Sequence, residues 1–316
     1  LTLPKENLGE IMKKQLIDIL KGTVIGIGNV APGLSGGVFA VTLKVYDRLI
    51  EMINNIFKKP FKTIKESWGL IVGVLLGILI GFYLIIELII LFPIPTMMLF
   101  VGFLVGSIPS IYENIKDKKK KFIDYLAFMI MILIIVALPF IRGVTHEITT
   151  SAKDIIILFF LGLIISLTLI IPGLSGSMVL MVMGYYENIL RVIRSFIDAA
   201  VGLDFTAMLS YAIVLIPIVI GLAVGLIGFA KLISRLFKTH YTTVYAAILG
   251  LVIASPFSII YTMLDTSDPN SYFKNLQDNL VLNIIIGVIT FIIGAILSMY
   301  LADLEKQKKK SIDIQD

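Results

Sequence analysis

Two short stretches of this chain carry residue types that can hold an anion. Ala31-Pro32-Gly33-Leu34-Ser35-Gly36-Gly37 recurs as Ile171-Pro172-Gly173-Leu174-Ser175-Gly176-Ser177, an offset of 140 positions. A serine hydroxyl among glycines offers O–H and backbone N–H donors with no side chain in the way. At the start of a half-helix those donors meet the positive end of the helix dipole, which is how helix N-termini bind phosphate. The serine of Gly-x-Ser-Gly could also be the nucleophile of an intramembrane serine protease, but such a nucleophile needs a histidine base beside it. The two histidines, His146 and His240, fall at the edges of apolar runs, and one nucleophile does not require a second copy of its motif. With no cysteine and so few histidines, disulfides, thiolate chemistry and a histidine-rich metal centre are excluded. The expectation is anion binding without catalysis, metal or cofactor.

Other residues extend the candidate site. Asn29 precedes the first turn, and Tyr46-Asp47 aligns with Tyr186-Glu187 downstream of the second. Arg191 and Arg194, three residues apart on one helical face, can receive a phosphate headgroup bidentately. Arg48 holds nearly the equivalent place after the first turn. Glu87 is an acid inside an apolar run, a proton-coupling candidate by default, with snorkelling as the alternative.

These residues sit in sequence that belongs in lipid. The chain is 58% apolar with a mean hydropathy of +0.97, and a membrane crossing takes roughly 20 apolar residues. Leu70 to Phe92, Phe122 to Ile141, Tyr211 to Ala230, Thr243 to Met263 and Val281 to Leu301 qualify, as does the return from Pro93 toward Lys116. The N-terminal run, interrupted by Lys21, predicts no cleavable signal peptide. The net charge of +5 comes from short basic clusters between apolar runs, which encode topology rather than nucleic-acid binding.

The two proline-glycine breaks are read as hairpins, over 22–57 and 155–196, that enter the membrane and return to the same side. On that reading 20 Lys and Arg residues fall on the cytoplasmic side and 5 outside, with Lys44 and Arg48 left in the first hairpin and both termini cytoplasmic. Treating either hairpin as a full crossing scatters the basic clusters over both faces.

The repeat extends past the breaks. At an offset of 148, Gly73, Gly77 and Gly102 align with Gly221, Gly225 and Gly250. Copies separated by one odd span must insert in opposite orientations, the plan of transporters whose sites form where broken helices meet. The expected fold is all-α: a polytopic integral membrane protein of two inverted-topology repeats, each a re-entrant broken-helix hairpin followed by transmembrane helices. Repeat 1 is placed at 16–115, a linking transmembrane helix and exterior loop at 116–150, repeat 2 at 151–303 and a cytoplasmic tail at 304–316, all in one membrane domain.

Gly26 to Gly37 with Tyr46, and Ile171 to Ser177 with Gly184 and Tyr186, resemble the motifs of the DUF368 membrane-protein family over nearly the whole chain. Lys44 stands where that family's pattern has glycine, and Val38 where threonine is common. The resemblance implies translocation of a polyprenyl phosphate, undecaprenyl phosphate, across the bacterial cytoplasmic membrane to recycle the carrier lipid of cell-wall synthesis. It implies a phosphate received by Arg191 and Arg194 and passed to the paired serine turns, with membrane lipids as surroundings, no nucleic-acid partner, and homo-oligomer formation left open. Alternatives of other classes are a small-anion transporter or channel using the same turns, and an undecaprenyl-pyrophosphate phosphatase. The latter should carry an arginine in the turn and a glutamate-rich motif, where this chain has Gly36 and Gly176 and no Glu-x-x-Glu in an apolar segment.

Overall fold

The computed structural model describes residues 8–34, 39–40, 42–45, 48–49, 51–52, 55, 59–141, 148, 150–170, 175–264 and 280–313. These residues form helices and no strand. In chain order they are α1 (Leu8–Val30), α2 (Pro60–Leu91), α3 (Pro93–Glu113), α4 (Phe122–Ile141) and α5 (Ala152–Ile170). There follow α6 (Gly176–Val182), α7 (Tyr186–Val201), α8 (Phe205–Thr239), α9 (Tyr241–Leu264) and α10 (Leu280–Asp313). Six of these helices are long and apolar enough to cross a membrane, over Phe61–Leu91, Pro93–Glu113, Phe122–Phe140, Phe205–Phe229, Tyr241–Tyr261 and Leu280–Leu304. The chain is a multi-pass, all-α membrane protein. Large apolar side chains such as Leu133, Val219, Ile227 and Ile296 stand on its outside, where only hydrocarbon can accommodate so extensive an apolar surface.

Local chemistry sets the helix limits. Pro60 and Pro93 open α2 and α3, where a missing N–H costs nothing. Asp204 caps α8 by accepting from the Ala207 N–H at 3.0 Å. Asp124 reaches back to the Lys121 N–H at 2.7 Å and ties α4 to α9 through the Thr243 hydroxyl at 2.5 Å. The helix leading into the first break begins at Leu8, well ahead of the expected hairpin start at 22. The returning arm of the second hairpin is two helices, α6 and the amphipathic α7, rather than one half-helix.

The aligned glycines are helix contacts. A Cβ on Gly73 or Gly77 of α2 would collide with the Ile19 or Thr23 carbonyl of α1, and one on Gly221 of α8 with the Phe159 carbonyl of α5. Gly102 of α3 meets the Phe291 carbonyl of α10, and Gly250 of α9 meets the Phe128 carbonyl of α4. Small residues let helices approach closely in lipid, where no hydrophobic force drives them together.

The register of these contacts sets direction. In α1 against α2, Ile19 faces Gly73 and Thr23 faces Gly77, so numbers rise together and the helices run parallel. The chain between them must therefore return to the end at which α1 began. The contacts of Phe159 with Gly221 and Ser166 with Gly225 make α5 and α8 parallel as well. The same reasoning makes α3 parallel to α10 and α4 parallel to α9. Because α2, α3 and α4 follow one another up, down and up, α5 starts at the end opposite to α1. The start of α1, the loop of Lys116 to Lys121, the α8–α9 turn and the end of α10 then share one face.

One backbone detail ties the halves together. Gly184, in the turn between α6 and α7, has φ +72°, and Lys44, 140 residues earlier, has φ 57°. The first copy thus keeps the left-handed conformation without the glycine that suits it. Lys44→Gly is expected to raise stability by about 1 kcal/mol, read as a small rise in Tm of the detergent-solubilised protein. A fall would show that the lysine side chain itself is stabilising.

Candidate functional site

The two helix breaks meet. Helix α1 stops at Val30 and the chain turns through Ala31, the fully buried Pro32 and Gly33. Gly33 has φ +82° and lies so close to α3 that an added Cβ would sit 2.8 Å from the Phe103 Cβ. Glycine satisfies both constraints at once, so its role here is packing as much as donor exposure. The last carbonyls of α1 lack helical partners, and in apolar surroundings each such group is costly. The second half supplies partners: the Tyr186 hydroxyl donates to the Val30 carbonyl at 3.0 Å, and the Ser177 hydroxyl donates to the Asn29 carbonyl at 3.4 Å. Tyr186 is buried, with its ring edge-on to Phe100 at 6.4 Å between centroids.

At the second break Ser175 is the N-cap position of α6 in extended conformation, with no side-chain capping bond. The Ser175 and Ser177 hydroxyls lie 2.7 Å apart. Since Ser177 gives its one proton to Asn29, the proton between the serines comes from Ser175. A hydroxyl chain therefore runs from Ser175 through Ser177 to the Asn29 carbonyl. For Ser175 to donate to an incoming anion, its hydroxyl must rotate off Ser177. Gly176 keeps this turn against α5, where an added Cβ would lie 2.9 Å from Ile165.

The charged candidates lie farther along α7. At 1.5 Å per residue, Arg194 is about 12 Å along the helix from Tyr186. Its guanidinium bonds the Glu87 carboxylate at 2.7 Å, approaches Asp198 at 3.8 Å and lies over the Tyr83 ring at 5.6 Å. Arg191 pairs with Glu187 one turn earlier at 3.6 Å. Glu87, expected as a proton-coupling or snorkelling acid, is thus a counter-ion that joins α2 of the first half to α7 of the second. Both it and Arg194 are about a third exposed, so the pair can be opened by a competing anion without stranding a deeply buried charge.

Arg48 is placed apart from this cluster. It bonds Asp18 of α1 at 2.5 Å and the Glu66 carbonyl of α2 at 2.9 Å. It borders a cavity of about 350 Å³ that Lys14, Glu51, Asn55 and Thr63 also line. Asp18 and the Ser177–Asn29 contact escaped sequence reasoning. Their partners lie 30 and 148 residues away on other helices, where no periodicity points; the only clue to Asp18 was that an acid on an apolar helix needs a cation. Ser35, Gly36, Gly37, Pro172 and Gly173 fall outside the described residues.

The structure therefore brings Asn29, Pro32, Gly33, Ser175, Gly176, Ser177 and Tyr186 to one junction. It sets Glu187, Arg191 and Arg194 along α7, with Glu87 of α2 against Arg194, and places Arg48 between Asp18 of α1 and the Glu66 carbonyl of α2. A polyprenyl-phosphate transporter of Staphylococcus aureus (strain NCTC 8325 / PS 47) is 28% identical over 250 residues, covering 77% of this chain and 85% of the relative. A polyprenyl-phosphate transporter of Vibrio cholerae serotype O1 is 26% identical over 251 residues, covering 75% of this chain and 74% of the relative. No solved structure matches. Residues 25–272, which span both breaks and the arginine helix, match the model described as VCA0040-like, undecaprenyl phosphate translocase-like, and the chain belongs to that family.

Proposed function

We propose that this protein translocates undecaprenyl phosphate from the outer to the inner leaflet of the bacterial cytoplasmic membrane, as a transporter and not an enzyme. The observation that carries the reading is the junction itself. Hydroxyls of one half hold the open helix end of the other, in a family whose relatives are named for polyprenyl-phosphate transport. The lipid phosphate enters at Arg191 and Arg194, exchanging carboxylate partners for phosphate oxygens, and moves to the serine turns while the polyprenyl tail stays in hydrocarbon. Arg48 and the cavity beside it receive the headgroup toward the cytoplasm.

The halves act as inverted repeats, 16–115 and 151–303, that rock against each other. Opposed helix directions and the shared left-handed turns at Lys44 and Gly184 support that assignment. The segment 116–150 supplies α4, which packs on α9 as α10 packs on α3. The termini and the Lys116–Lys121 loop lie in the cytoplasm, following the bias of basic residues to that side.

The test is reconstitution in liposomes with labelled undecaprenyl phosphate, following leaflet exchange. Wild type is expected to exchange the lipid, and the Ser35→Ala/Ser175→Ala double variant is expected to lose at least about tenfold in rate, as for a charge-assisted hydrogen bond of about 1.5 kcal/mol or more. Exchange at the wild-type rate by a folded double variant would remove the serine turns from the path. Inorganic anion flux without lipid exchange would replace the reading with an anion transporter.

A further inference from the structure

Away from both breaks, a cavity of about 190 Å³ opens between the ends of α3, α4 and α9. Its wall is built by Ile115, Phe128, Ala246 and Leu249, and its rim by Tyr112, Lys120 and Tyr125. Two lysines of the neighbouring loop rest on tyrosine rings, one of them at the cavity and the other on α9 beside Thr242, which lines it. Lys120 lies over the Tyr112 ring at 5.2 Å, and Lys118 lies over the Tyr241 ring at 4.3 Å. The Tyr241 hydroxyl donates to Asn114 Oδ1 at 3.2 Å, which fixes that ring against the same loop. Tyr112 and Tyr125 are themselves exposed, at the level where aromatic side chains meet headgroups.

Orientation signals require positive charge on a loop but do not require the charges to be positioned. Here two ammonium groups rest on aromatic faces beside an apolar recess, and each keeps donors to spare. A mainly apolar recess at the ends of three helices, with the exposed Tyr125 at its edge, takes a hydrocarbon chain; Lys120 at the recess and Lys118 beside it take an anionic headgroup. We propose that this cavity binds an anionic diacyl phospholipid of the bilayer, with one acyl chain in the recess and the phosphate at Lys118 and Lys120. Charge complementarity selects the occupant: five lysines and one acid, Asp117, lie between 116 and 121, and the acid at the cavity, Asp124, is turned to the Lys121 N–H and the Thr243 hydroxyl. The site is independent of the translocation reading, since none of its residues belongs to the serine junction or the arginine helix.

The experiment places the full-length protein in nanodiscs of equal phosphatidylglycerol and phosphatidylcholine and identifies the retained lipid by native mass spectrometry. Phosphatidylglycerol is expected to be retained in preference, and Lys118→Gln/Lys120→Gln to reduce that preference by roughly ten- to thirtyfold, the effect of two interfacial lysines. Lys65→Gln/Lys238→Gln removes equal charge from exposed positions elsewhere and should leave the preference unchanged. Ala246→Phe fills the recess with the charges intact and should also release the lipid. An equal fall in both lysine pairs would reduce the effect to general surface charge and overturn the site. So would undiminished retention by a folded Ala246→Phe variant, or no preference in the wild type. Selective retention of added polyprenyl phosphate over phosphatidylglycerol would overturn the diacyl assignment.

Discussion

Arg194→Gln is expected to slow transbilayer movement of polyprenyl phosphate by roughly thirty- to a hundredfold, the loss of one charged partner to a phosphate. The protein should remain folded, because Arg194 is about a third exposed and Glu87 can reach the interface. The control is the double variant with Glu87→Gln. If Arg194 serves only to neutralise Glu87, removing both charges restores transport. If it receives the headgroup, the double variant stays slow while its thermal stability returns toward wild type. The double-variant cycle thus separates a structural ion pair from a binding one. Restored transport would move the phosphate entry site off α7.

Gly221→Val is expected to abolish recovery of monodisperse protein from membranes. The Cβ alone collides with the Phe159 carbonyl, which is backbone and cannot rotate away, so α5 and α8 must separate along their length. Overpacking in an ordinary core costs about 1–3 kcal/mol, and here the displaced partner is the helix that delivers Ser175. Gly228, on the same helix with nothing within 4 Å of an added Cβ, supplies the comparison. Gly228→Val should be recovered and sized normally by gel filtration. Equal loss in both would show that α8 does not tolerate replacement of its glycines wherever they sit, not that the contact matters.

The spans were readable because they obey one rule, length against hydrocarbon thickness. The apolar run over 122–141 is α4, and those over 243–263 and 281–301 lie within α9 and α10. The breaks were readable because proline, glycine and serine cluster there and recur, whereas Pro109, Pro139, Pro217 and Pro256 stand singly inside helices. The glycines at 148-residue offset were seen as repeat markers, but their task, backbone-to-backbone approach of parallel helices, needs a partner that sequence spacing does not name. The site divides in the same way. The serine turns and Tyr186 were singled out by recurrence, yet the Tyr186 hydroxyl is used on the Val30 carbonyl and so positions the break. The Glu87–Arg194 and Asp18–Arg48 pairs join separate helices, so each acid signals that a cation is needed without naming which one. The left-handed Lys44 is visible only against its glycine counterpart at 184, because a lysine at that position announces nothing by itself.

The parallel pairing of α3 with α10 bears on how the protein is made. Helix α3 finds its most extensive contact in the last helix of the chain, with the whole second half synthesised in between. At translation rates of 5–20 residues per second that interval is roughly 10–30 s. Throughout it, the glycine-bearing face of α3 sits in the bilayer or against the insertion machinery with its counterpart unmade. A ribosome stalled before residue 280 would leave a chain whose first half is inserted but open along α3, a substrate for membrane quality control rather than a half-sized transporter.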